Sequence, residues 1–134
     1  MGEIRSYKDM DVWNCGMDLS VFVYQLARRL PPEEKYALGD QMRRAVTSIP
    51  TNIAEGHNRG STKEYIHFLY IAKGSNAEVY TQLLLGCRLG YFTHEQIDET
   101  IHLCTRVGQM LNSLIDILKR KDKKAGNKSS SEDD

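Results

Sequence analysis

A chain of 134 residues with formal net charge +0, 40% hydrophobic and 27% charged residues has the length of one domain and the composition of an ordinary globular protein. Its charge balance removes any global pull toward nucleic acid or an anionic membrane, so such binding needs a local basic patch. Its three cysteines, Cys15, Cys87 and Cys104, form no CxxC pair and are odd in number, which excludes a zinc ribbon or a disulfide framework and predicts reduced thiols in a cytoplasmic protein.

The opening "MGEIRS" carries Gly2 and Ser6 in the loose myristoylation pattern, a match so short that chance outweighs function. No secretory apolar core follows, and no apolar run reaches the length of a membrane span. Val12, Leu19, Phe22, Val23, Leu26 and Leu30 recur at helical spacing and predict a first helix over 9–30, stopped by Pro31 and Pro32. Leu38, Met42, Ala45, Ile49 and Ile53 predict a second helix over 33–55, continuous across Pro50. "STKE" is a capping box with Ser61 as N-cap and Glu64 at the third position. It opens a third helix to residue 89, with Gly90 as the C-terminal cap. "THEQ" repeats the device with Thr93 and Gln96. The fourth helix carries a stripe from Ile97 through Cys104, Gly108 and Leu111 to Leu118. Residues 122–134, "DKKAGNKSSSEDD", lack a core-forming stripe and are expected to be a disordered polar tail after a bundle over 1–121.

Short connections favour antiparallel neighbours, so the expected fold is an all-α, up-down-up-down four-helix bundle, with helix two kinked at Pro50. Proline at that position removes the bond to the carbonyl of Val46, and Thr47 or water is expected to cover the freed acceptor. Helix three carries a second apolar arc, Ile66, Tyr70, Ala77 and Leu84, and helix four a second set including Leu103, Met110 and Ile117. Helices apolar around so much of their circumference need cover on more than one side. A homo-oligomer supplies it; scattered exposed apolar residues are the bland alternative. On helix two, Gln41, Arg44, Ser48, Thr51, Asn52 and Glu55 occupy the arc opposite the stripe. They form either a solvated face or a polar seam. Antiparallel packing on helix three predicts Arg44 near Glu78 and Glu55 near Lys63.

The stretch from "LPPEEKYALGDQMRRAVTSIPTNIAEG" through "HNRGSTKEYIHFLYIAKGSNAEVYTQL" resembles the bacterial 23S rRNA intervening-sequence proteins. The matching positions include Gln41, Arg43, Arg44, Ala45, Ser48, Ile49, Pro50, Asn52, Ile53, Ala54, Glu55 and Gly56. Beyond them match Arg59, Ser61, Lys63, Glu64, Ala72, Gly74, Ser75 and Glu78. The resemblance runs from about residue 7 to residue 121. It implies a four-helix bundle assembled as a ring, typically a homopentamer, in bacterial cytoplasm, with no established catalytic activity. A related group, the accessory variability proteins of diversity-generating retroelements, forms basic barrels that bind RNA and a reverse transcriptase. The neutral charge of this chain departs from that group.

Two Glu-x-x-His motifs, Glu64 with His67 and Glu99 with His102, have the spacing of di-iron ligands in a bundle. Each lies near the start of its helix, and antiparallel packing separates them by about 20 Å at 1.5 Å per residue. His94, Asp98 and His102 share a face, but the outer two are about 12 Å apart by rise alone. No metal, cofactor or catalytic residue is therefore expected. Gly74 in mid-helix predicts a close helix approach. Arg28-Arg29, Arg43-Arg44 and "KRKDKK" at 119–124 are the basic clusters. A ring could align Arg43, Arg59 or the tail lysines of several subunits. Two functional readings follow: a non-enzymatic scaffold ring that binds a protein partner, or an RNA-associated ring. The candidate interaction residues are Arg43, Arg44, Ser48, Asn52, Glu55, Arg59, Lys63 and Glu78.

Overall fold

The computed structural model describes residues 6–132. Gly2 of the myristoylation pattern and the last two residues of the polar tail lie outside that range. Four helices carry the fold: α1 (Asp11–Ala27), α2 (Leu38–His57), α3 (Thr62–Arg88) and α4 (His94–Glu132). Short 3-10 turns at Tyr7–Asp9 and Pro32–Glu34 precede α1 and α2. Contacts join α1 to α2, α2 to α3, α3 to α4 and α4 back to α1. Gly16 packs beside Pro50 while Ser20 reaches Val46, so α1 and α2 are antiparallel. Ser48 meets Ser75 and Gly56 meets Phe68, so α2 and α3 are antiparallel as well. The result is the up-down-up-down bundle expected from the spacing of apolar residues.

Each helix buries one stripe. Leu19 and Val23 of α1, Met42, Val46, Ile49 and Ile53 of α2, Leu69, Val79 and Leu83 of α3, and Ile97, Val107 and Leu111 of α4 are all buried in one core. Burying a side chain of this size contributes roughly 1.5–3 kcal/mol. One buried polar pair crosses this core. The Asn76 amide donates to the Cys104 carbonyl at 2.9 Å, and the Cys104 thiol donates to Asn76 Oδ1 at 3.1 Å. Gly108 leaves room for that amide, since a Cβ there would stand 3.1 Å from Asn76 Nδ2. Burial pushes the Cys104 thiol up to about 12, so it stays protonated and donates.

The helix ends follow local chemistry. Thr93 and Gln96 form a complete capping box: Thr93 Oγ1 accepts from Gln96 N at 3.1 Å and Gln96 Oε1 accepts from Thr93 N at 2.9 Å. At α3 only the Ser61 half is present, accepting from Glu64 N at 3.2 Å. Gly90 closes α3 with φ +81°, and Tyr91 N donates to Gly86 O while Gly90 N donates to Cys87 O. This is the left-handed cap that glycine permits without strain.

Several boundaries differ from the sequence expectation. The first helix ends at Ala27 rather than 30, where the chain tightens into three-residue bonds from Arg29 N to Leu26 O and from Leu30 N to Ala27 O ahead of the two prolines. The second begins at Leu38 rather than 33, after Ala37 leaves helical geometry at φ −112°, ψ −99°. The fourth continues to Glu132, past the expected end at 121, and nothing between them is a proline. Gly74 has no neighbour within 4 Å and is exposed, so the close approach expected there is absent. The close approaches lie elsewhere. A Cβ at Gly56 would stand 2.8 Å from Phe68 Cβ, and one at Gly86 would stand 2.5 Å from the Phe92 ring.

Candidate functional site

Antiparallel packing arranges the polar residues of α2 and α3 in levels along their seam. In the middle, Ser48 Oγ lies 2.9 Å from Ser75 Oγ. The Asn52 amide donates to Ser48 Oγ at 2.8 Å and to the Ser48 carbonyl at 2.7 Å. These groups satisfy one another and hold the two helices in register, as buried polar groups usually do. Toward the end of α2, Glu55 pairs with Arg59 at 2.9 Å rather than with Lys63. Arg59 lies in the turn just past α2, four residues after Glu55 and within reach of its carboxylate. The Arg59 guanidinium also stands 5.0 Å over the Phe68 ring. Lys63 is exposed at the start of α3.

Toward the start of α2 the seam opens into a groove of about 520 Å³, lined by Gln41, Arg44, Ala77, Glu78, Thr81, Gln82 and Leu85. Arg44 and Glu78 share this groove as the antiparallel register requires. Among the described residues, however, ion pairs join Arg43 to Asp40 and Arg59 to Glu55, His102 stands 3.9 Å from Asp98, and no pair joins Arg44 to Glu78. Both are exposed, and a hydrated surface pair gains about 0–1 kcal/mol by closing. Gln82 forms the groove's inner wall. It is only 7% exposed, and its Oε1 is buried without a hydrogen-bond partner. A buried acceptor left open costs about 1–3 kcal/mol. The groove therefore offers one cation and one anion, bordered by an apolar side chain, Leu85.

Arg43 belongs to the scaffold. Its Nη2 donates to the Lys35 carbonyl at 2.8 Å and to Asp40 Oδ1 at 2.7 Å, fastening the turn before α2. Of the eight candidate residues, the seam therefore brings together Arg44, Ser48, Asn52 and Glu78. Arg43, Glu55, Arg59 and Lys63 lie outside the groove. Gln82 escaped sequence reasoning because glutamine carries no charge. Its signal was its position four residues after Glu78, on the margin of the α3 core stripe.

Two other surfaces stand out. On the outer face of α1, Met17, Val21, Tyr24 and Arg28 line a shallow depression. Met17 is 43%, Val21 56% and Tyr24 37% exposed. Between α3 and α4, the exposed Tyr70 ring has Lys119 Nζ at 5.0 Å and Lys73 Nζ at 5.9 Å from its centroid. The Glu-x-x-His motifs do not meet. Among the described residues no three His, Cys, Asp or Glu side chains gather as metal ligands. No helix there is long and apolar enough to cross a membrane.

A family model described as 23S rRNA-intervening sequence protein matches residues 8–113. No curated protein matches the chain. Among solved structures, a protein of unknown function from the S23 ribosomal protein family of Bacteroides thetaiotaomicron is similar. Its TM-score is 0.73 at 28% identity, over 78% of this chain and 97% of that one.

Proposed function

The chain belongs to the 23S rRNA-intervening sequence protein family, and from that premise we propose that it is a non-enzymatic, self-associating scaffold or binding protein. The exposed apolar faces carry this reading. Met17 and Val21 on α1, Leu84 and Leu85 on α3, Leu89 at the cap of α3, and Ile117 on α4 are between 38% and 58% exposed. Faces of this kind mark association surfaces when several apolar residues cluster on one arc. A closed ring of five subunits, as the resemblance implies, covers such faces on every copy. Sedimentation velocity of the full chain tests this. The expected result is a concentration-dependent species with a mass near five times 15.3 kDa; a single chain at every concentration overturns it.

A second reading, an RNA-associated ring, rests on Tyr70 and its two flanking lysines. An exposed aromatic ring between cations is the combination that stacks unpaired bases and neutralises phosphate. Repeated around a ring, it would make a basic belt on a chain of zero net charge. Fluorescence anisotropy with a single-stranded RNA distinguishes the two readings. On the RNA reading, binding falls steeply with added salt, and Tyr70→Ala weakens it by about fivefold to 150-fold, from roughly 1–3 kcal/mol per stacked base. Equal binding by parent and Tyr70→Ala removes this reading.

A further inference from the structure

We propose that the groove between α2 and α3 receives the outer face of α1 from a second copy of this chain, in one defined antiparallel register. The inference rests on the self-association just proposed and specifies its contact. Both surfaces are incomplete. The α1 face presents Met17, Val21, Tyr24 and Arg28 to solvent. The α3 side of the groove presents Glu78 and Leu85, with the Gln82 side chain buried between them and exposed Leu89 at the cap of α3 beyond.

Their spacings match. Descending α1, the positions 28, 24, 21 and 17 are separated by four, three and four residues. Ascending α3, the positions 78, 82, 85 and 89 are separated by four, three and four. Two antiparallel helices with those intervals meet level by level over about 16 Å at 1.5 Å per residue. At the first level the Arg28 guanidinium meets the Glu78 carboxylate. At the second, the Tyr24 ring covers the Gln82 side chain. At the third and fourth, Val21 covers Leu85 and Met17 covers Leu89. One register thus pairs opposite charges and buries four exposed apolar side chains. Reversing the direction of α1 places Met17 on Glu78 and Arg28 on Leu89.

The two surfaces lie on different faces of the bundle, so the contact is head-to-tail. Each copy uses its α1 face on one neighbour and its groove on the other. Head-to-tail contacts of this type propagate until they close into a ring. An isologous pair would instead join identical patches.

The test uses the full chain with Val21→Cys and Leu85→Cys combined, under mild oxidation. The parent chain, whose cysteines are Cys15, Cys87 and Cys104, sets the baseline. The expected result is a ladder of covalent multimers on a non-reducing gel, collapsing on reduction. Neither single variant gives a ladder. Val21→Cys with Ile71→Cys gives none either, because positions 71 and 85 are about 21 Å apart along α3. In parallel, Arg28→Glu or Glu78→Arg alone should raise the dissociation constant of the assembly about tenfold or more, and the two together should restore it, as expected for a charge pair at an interface. Circular dichroism confirms that each variant folds. A ladder that stops at covalent dimers overturns the head-to-tail arrangement. Single charge variants that sediment like a multimeric parent, with no ladder, overturn this contact and leave self-association standing. A parent that sediments as one chain at every concentration overturns both.

Discussion

The carbonyl of Val46 has no helical donor, because residue 50 is proline. The expected substitute was Thr47 or water. Instead the Thr47 hydroxyl turns back to the Arg43 carbonyl at 2.8 Å, and Ser20 of the neighbouring helix serves Val46. The Ser20 hydroxyl donates to the Gly16 carbonyl at 2.8 Å and reaches the Val46 carbonyl at 3.3 Å. The helix continues through Pro50, with its ring beside Gly16. A proline that costs about 3 kcal/mol in an exposed helix is thus accommodated by a hydroxyl from another helix and by burial of its ring. The cause lies 26 residues away in sequence, where no local pattern points to it. Ser20→Ala should destabilise the fold by about 1–2 kcal/mol, the cost of a buried acceptor left open. Pro50→Ala restores an amide to Val46, so in that background Ser20→Ala should cost markedly less. Urea denaturation of the four chains of this double-mutant cycle reads the coupling. Additive losses would show that Ser20 and Pro50 act independently.

At the scale of the elements, glycines separate what the sequence discloses from what it conceals. Gly90 was legible as a cap because it follows the last apolar residue of α3 and precedes a new capping box. Gly74 and Gly86 look alike in sequence, each a glycine in the same helix, yet their surroundings are opposite. Gly74 faces open space, whereas a Cβ on Gly86 would stand 2.5 and 2.6 Å from two atoms of the Phe92 ring. Phe92 is buried at the turn into α4, so Gly86 admits the ring that seats that turn. Periodicity gives the arc a residue occupies and not the atom across from it. The same limit applies to the seam. Arg44 and Glu78 were placed on facing levels from antiparallel packing alone, but their failure to close and the open acceptor of Gln82 depend on side-chain geometry. Gly86→Ala should cost about 1–3 kcal/mol as an overpacked site. Gly74→Ala should stabilise α3 by about 0.5–1 kcal/mol, because an exposed helical glycine loses more backbone entropy than alanine. Opposite shifts in the urea midpoint of the two variants are the expected outcome. Equal shifts would refute the assignment of Gly86 as the contact glycine.

For the molecule as a whole, the question is where the cooperative unit ends. The α3 helix has 27 residues and α4 has 39, so α4 exceeds its neighbour by about 18 Å at 1.5 Å per residue. Its last buried apolar residue is Ile115, and Leu118 packs partly against the core. Residues 123–126 are exposed. Among the described residues the overhang is exposed where it leaves the bundle, and isolated helical segments shorter than about 12–15 residues are marginal in water. The polar composition behind the expectation of a disordered tail begins where the apolar stripe ends, and the helix runs on past that point to Glu132. We propose that residues 1–121 form the independently folding unit. Deleting 122–134 should shift the melting temperature by no more than about 2 °C, since removing unpacked surface residues changes stability by about 0.5 kcal/mol or less. Ile115→Ala in the full chain should instead cost about 2–5 kcal/mol through the cavity it leaves. Calorimetry of the three proteins compares these effects directly. A large loss on deletion would mean that the overhanging turns carry packing that stabilises the fold, and would overturn 1–121 as the independently folding unit.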